Sequence, residues 1–175
     1  SSSAGAGFNH DRVAGFFGEG QGLFDIRDAA LGTGDDRNPD FFREVAGFRA
    51  FAAHVRSLGF KVGVGTAGDA HNIAFALEHL ALDEPPHAVV GGDEGLPGKP
   101  EPAIFLEVAR RLNVAPEHCI VFEDAPLGIE AARRAGMRAV AVCTGHTAEE
   151  LDGPHVLAAI DHYAGLPQAA WFQQL

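Results

Sequence analysis

The segment Cys119-Ile120-Val121-Phe122-Glu123-Asp124-Ala125-Pro126-Leu127-Gly128-Ile129 runs from an apolar strand signal straight into two adjacent carboxylates, and a helical signal follows. In parallel sheets the carboxyl ends of the strands are where ligands bind. Two acids placed there repel each other unless a cation or hydrogen-bond donors offset them, and their hard oxygens suit Mg²⁺. Taken alone, Asp124 could equally do no more than cap the helix that follows.

Outward from this segment the chain alternates. Val45, Phe48, Ala52, Val55 and Leu58 recur at helical spacing up to Gly59, and Phe60 to Gly65 is a short strand signal. Ile73, Ala76, Leu77 and Leu80 form another helical stripe before a buried-type strand at His87 to Val90. Ile104, Phe105, Val108 and Leu112 mark a helix entered through Pro100 and Pro102. Beyond the opening segment come a helix over Pro126 to Ala135, a strand over Ala139 to Cys143 and a further strand signal over Val156 to Ile160. Strands separated by helices of this length are βαβ units. They predict an α/β fold, a three-layer α/β/α sandwich around a mostly parallel sheet.

Residues 1–39 stand outside that rhythm. They hold Gly15, Gly18, Gly20, Gly22, Gly32 and Gly34 together with Phe8, Phe16, Phe17 and Phe24, too aromatic for a plain solvated tail and too rich in glycine for long elements. The expected division is therefore an irregular N-terminal segment over 1–39, a cap remnant or first-motif region, and a core domain over 40–175.

With 175 residues, 46% of them hydrophobic, the chain can bury a core but has little room for two domains. Thirteen Lys and Arg against 24 Asp and Glu leave a net charge of −11, and no window clusters basic residues. Such a surface repels phosphate backbones and anionic lipid, so neither nucleic acid nor membrane is an expected partner. Cys119 and Cys143 lie in separate apolar segments without CxxC spacing and read as reduced core thiols. Without a membrane-length apolar run, and with no signal-peptide pattern over Ser1 to Gly7, the expected location is the cytoplasm. The nine His show no metal-site spacing, and Trp171 and Phe172 are expected to pack on the core. Oligomeric state leaves no signal.

Two further features carry chemistry. In Gly98-Lys99-Pro100-Glu101-Pro102 a lysine is held by a stiffened backbone just before a helix, where its ammonium could meet a phosphate or offset nearby carboxylates. A lone exposed loop lysine is the commoner case. Gly63-Val64-Gly65-Thr66-Ala67-Gly68 formally fits a dinucleotide fingerprint, but its first two glycines fall inside the strand, and Asp83 follows a helical stripe rather than ending a second strand. Either the Thr66 hydroxyl and the amides from Ala67 onward hold an anion, or the stretch is simply a tight strand-to-helix turn.

The order strand-Thr66, Gly98-Lys99-Pro100, strand-Glu123-Asp124 resembles the haloacid dehalogenase-like (HAD) superfamily, and Gly98 to Val142 resembles its phosphoglucomutase-like phosphatase branch. The resemblance implies Thr66 as the phosphate-binding second motif, Lys99 as the third and Glu123 with Asp124 as the metal-binding fourth. It also implies a first motif, Asp-x-Asp-Gly, after a central strand. Leu23-Phe24-Asp25-Ile26-Arg27-Asp28 offers Asp25 as nucleophile and metal ligand, with Arg27 where the second carboxylate belongs and Asp28 beyond. Phe8-Asn9-His10-Asp11-Arg12 offers Asp11 in the second place, after an Asn9 that cannot be the nucleophile. The stretch from Asp25 to Thr66 suits members with a reduced or absent cap. The expected function is a Mg²⁺-dependent phosphatase acting on a small phosphorylated metabolite through an aspartyl-phosphate, and a mutase is disfavoured because no full cap shields a phospho-enzyme. The alternatives are a catalytically impaired domain binding a phosphate ligand or protein partner, and a truncated segment lacking its first strand and cap.

Overall fold

The computed structural model describes residues 13–16, 47–170 and 172. Within them, β1 (Val13–Phe16), β2 (Lys61–Gly65), β3 (Ala88–Val90), β4 (Cys119–Glu123), β5 (Arg138–Val142) and β6 (Val156–Ile160) form one sheet in the order β3-β2-β1-β4-β5-β6. Every pairing is parallel. The helices α1 (Phe48–Ser57), α2 (Ala70–Leu80), α3 (Ala103–Leu112) and α4 (Pro126–Arg134) supply the crossovers.

Burial on both faces explains the continuous apolar runs of the strands. Successive side chains point to opposite faces. Ile120, Phe122, Val140 and Val142 therefore join Phe48, Phe51 and Val55 of α1 in one core. Cys119, Val121, Ala139 and Ala141 join Ile104, Phe105 and Val108 of α3 and Ile129 of α4 in the other. The same alternation gives Gly63 its reason: a β-carbon there would stand 2.5 Å from Val108 Cγ1, so α3 packs directly on the backbone of β2. Phe172 closes the first core, its ring 5.5 Å from that of Phe51, as expected of it. Trp171 and Val45 lie outside the described residues. Cys119 is buried and Cys143 partly so, both as free thiols. Among the described residues no helix is long and apolar enough to cross a membrane.

Local chemistry agrees at the helix ends. Pro126 opens α4 at a position where its missing N–H costs nothing. Asn113 ends α3 with φ 54°, the left-handed turn that asparagine tolerates.

One strand of the sheet lies on the N-terminal side of the division expected at 39/40. The sheet's inner strand β1 comes from the N-terminal segment and pairs on both sides, with β2 and with β4. Val13-Ala14-Gly15-Phe16 is short and contains a glycine, so its strand state comes from two neighbouring ladders rather than from its own propensity. Of the N-terminal segment, only these four residues are among those described. The strand order reverses direction at β1 and β4, which places the crevice favoured for ligands at their carboxyl ends.

Candidate active site

At that crevice β4 delivers Glu123 and, one residue on, Asp124. Glu123 points to the α3–α4 side, where its fully buried carboxylate accepts a bond from Lys99 Nζ at 3.0 Å through Oε2 and from the Ala125 amide at 3.3 Å through Oε1. The lysine side chain is itself only 2% exposed, and its ammonium also lies 5.1 Å from the centre of the Phe105 ring. Lys99 is thus no solvated loop residue. It reaches from the loop before α3 into the interior to meet a carboxylate two dozen positions along the chain.

Asp124 is not a helix cap. The cap position of α4 belongs to Ala125, and no side chain bonds there. Asp124 Oδ1 is instead buried without a hydrogen-bond partner, while its backbone carbonyl accepts a bond from His146 Nδ1 at 3.0 Å. Burial pushes the Glu123 carboxyl up to about 7, with the Asp124 charge adding to the rise and Lys99 opposing it. Burial likewise raises Asp124. Lys99 offsets one charge of the pair, and a hard cation would offset the other, at the partnerless Asp124 oxygen. The orphaned Asp124 Oδ1 and the all-oxygen character of the two side chains fit Mg²⁺. Among the described residues no group of three or more His, Cys, Asp and Glu side chains could hold a metal, so this pair would need a further ligand from elsewhere.

Thr66 follows β2 and is buried. Its amide donates to the Val90 carbonyl at 3.1 Å, and its Oγ1 accepts from the Gly68 amide at 3.1 Å, so the tight turn exists. The first amide of α2, that of Ala70, bonds to Asp93 Oδ2 at 3.3 Å. Val64 and Phe122 both register with Phe16, so Thr66 and Asp124 each stand two residues beyond the same level. They flank β1 at the same sheet edge, roughly 10 Å apart as two strand spacings require. Thr66, Glu123 and Asp124 therefore lie at one edge of the sheet, where Lys99 meets Glu123. Asp25, Asp11, Arg27 and Asp28 lie outside the described residues.

Two features of the site left no clear signal in the sequence. His146, in the loop after β5, is found only through its bond to Asp124. Gly92 braces the Thr66 turn: its amide donates to the Gly68 carbonyl at 2.9 Å, and a β-carbon on it would sit 2.0 Å from the Ala67 carbonyl oxygen. Gly92→Ala should therefore cost about 1–3 kcal/mol by forcing two backbones apart. Gly98→Ala, with nothing within 4 Å of the added carbon, should stay within about 0.5 kcal/mol of the parent. Urea unfolding of the two variants checks this, and equal midpoints would rule out the brace.

A model of the haloacid dehalogenase-like hydrolase family matches residues 14–136, and the chain belongs to that family. It is 36% identical over 101 residues to a phosphorylated carbohydrates phosphatase of Thermotoga maritima, covering 58% of this chain and 47% of that protein. It is 46% identical over 81 residues to the fructose-1-phosphate phosphatase YqaB of Escherichia coli, covering 46% of this chain and 43% of that one. The crystal structure of β-phosphoglucomutase from Clostridium difficile superposes with a TM-score of 0.62 at 27% identity, over 74% of this chain and 56% of that one. The chain thus spans about half the length of the curated relatives it matches.

Proposed function

We propose that this chain is the core of a Mg²⁺-dependent phosphatase acting on a small phosphomonoester, with a phosphorylated sugar as the substrate class. The observation that carries the reading is the buried Lys99–Glu123 pair beside the partnerless Asp124 Oδ1 at the carboxyl end of β4. A carboxylate pair and an ammonium assembled there, at a cost in desolvation, are poorly explained as packing. The named phosphatases among the relatives support the substrate class.

In this reading Glu123 and Asp124 hold Mg²⁺, with Asp25 as the third carboxylate. The bound ion supplies electrostatic stabilisation to the transferred oxygens. Lys99 offsets the charge of the carboxylates and of the phosphoryl group, and the Thr66 hydroxyl with the Ala67 amide orients the phosphate. Asp25 attacks phosphorus as the bond to the ester oxygen breaks, the leaving alcohol taking its proton from Asp11 or Asp28 because Arg27 cannot give one, and water then hydrolyses the aspartyl-phosphate to inorganic phosphate and the free Asp25 carboxylate.

A second reading, a phosphate-binding domain without turnover, is favoured by one observation. The inner strand β1 ends at Phe16, and the next residue in sequence is Phe17, not a carboxylate; Asp25 comes later. An aryl phosphate assayed with Mg²⁺ separates the two. The expected result is weak turnover, because Arg27 stands where a general acid or base worth about 10²–10⁴-fold belongs; Asp25→Asn abolishes it and Asp11→Asn at most lowers it further. Loss only in Asp11→Asn moves the site to the earlier segment. No turnover in the folded parent protein supports the binding domain.

A further inference from the structure

Gly128 stands in the first turn of α4, on the side facing the Glu123 carboxylate. A β-carbon built on it would lie 2.0 Å from Glu123 Cδ and 2.3 Å from each of Oε1 and Oε2. The helical backbone at this position does not call for glycine, and alanine is the better helix former. The reason for glycine is therefore the carboxylate and not the helix.

We propose that Gly128 is a positioning residue: the volume its missing side chain leaves is the seat of the Glu123 carboxylate. The other sides of that seat are Lys99 Nζ on Oε2 and the Ala125 amide on Oε1. A methyl group at residue 128 pushes the carboxylate off one of these partners and leaves a buried cation or amide short of an acceptor. The displaced carboxylate also leaves the flank of Asp124, which follows it in the chain. The inference rests on reading Glu123 and Asp124 as the cation-holding pair, but its steric core can be tested without any cation.

Urea unfolding decides the steric part. In the wild-type background Gly128→Ala should lower the folding equilibrium constant roughly 5- to 150-fold, the cost of overpacking a tight site. In a Lys99→Met, Glu123→Ala background, where the carboxylate is gone and no buried charge is left unpaired, the same change should be neutral or stabilising. If that background does not fold, Glu123→Asp, which withdraws the carboxylate by one methylene, takes its place and should reduce the loss. An equal loss in both backgrounds, or no loss in the wild type, overturns the proposal.

Calorimetry with Mg²⁺ reads the positioning part. Gly128→Ala should weaken binding about tenfold or more, and adding Glu123→Asp should restore part of it, a rescue that a merely structural glycine would not show. Unchanged Mg²⁺ binding in Gly128→Ala overturns the positioning role. A wild type that takes up no Mg²⁺ defeats the metal-dependent reading above, and the unfolding comparison then decides the role of Gly128 alone.

Discussion

Lys99→Met should destabilise the metal-free protein by about 3–5 kcal/mol, because it leaves the Glu123 carboxylate buried without its cation. The deficit should also depend on pH. The Glu123 carboxyl is raised in the folded chain, from about 4.5 to about 7, so the folded state holds a proton that the unfolded chain has released. Stability from this group is complete below about pH 4.5 and is lost as pH rises through about 7. Removing Lys99 removes the influence that opposes the rise, so the folded carboxyl moves higher still and the penalty grows with pH. Urea unfolding at pH 5 and pH 8 should show a smaller deficit at the lower value. Equal deficits would mean that the two side chains are not coupled as their 3.0 Å contact implies.

Asp124→Asn should separate stability from function. Burial works against the Asp124 charge, and Oδ1 has no partner to compensate, so a neutral amide should leave the fold as stable as before or slightly more so. Mg²⁺ binding should fall markedly, since one hard anionic ligand of a small set is lost. Turnover, where the parent shows it, should drop on the order of 10²-fold or more. Calorimetry and thermal unfolding on the same preparation check both halves. Equal heats of Mg²⁺ binding for parent and variant would remove Asp124 from the metal site.

The βαβ rhythm was legible because β2 to β5 are largely buried on both faces and read as short apolar runs, with charged residues only at their ends. Strand bounds held to within a residue, and Pro126 and Gly59 marked helix ends because they act locally, whatever the rest of the fold does, whereas α2 opens at Ala70, ahead of the first member of its apolar stripe, Ile73. The reading failed at β1. Four residues with a glycine among them carry too little propensity to stand out, and only pairing with β2 and β4 makes them a strand. The acid pair and Lys99 were each visible as residues at the ends of elements. That they form one buried cluster was visible only as a family resemblance.

By itself, then, the sequence determined the class of fold, the order of its elements from α1 onward and the residue types that gather at the carboxyl edge. Hydrophobic period, proline and glycine act over a few neighbours, and a one-dimensional pattern records them. Only the tertiary structure decided that Lys99 is buried against Glu123 rather than solvated, that Asp124 carries a buried oxygen without a partner rather than capping a helix, that Gly92 lies against the backbone of Ala67, and that Gly128 lies against the Glu123 carboxylate. Those outcomes depend on desolvation and on close approach between segments the sequence keeps apart. Neither exists until the sheet has assembled around β1.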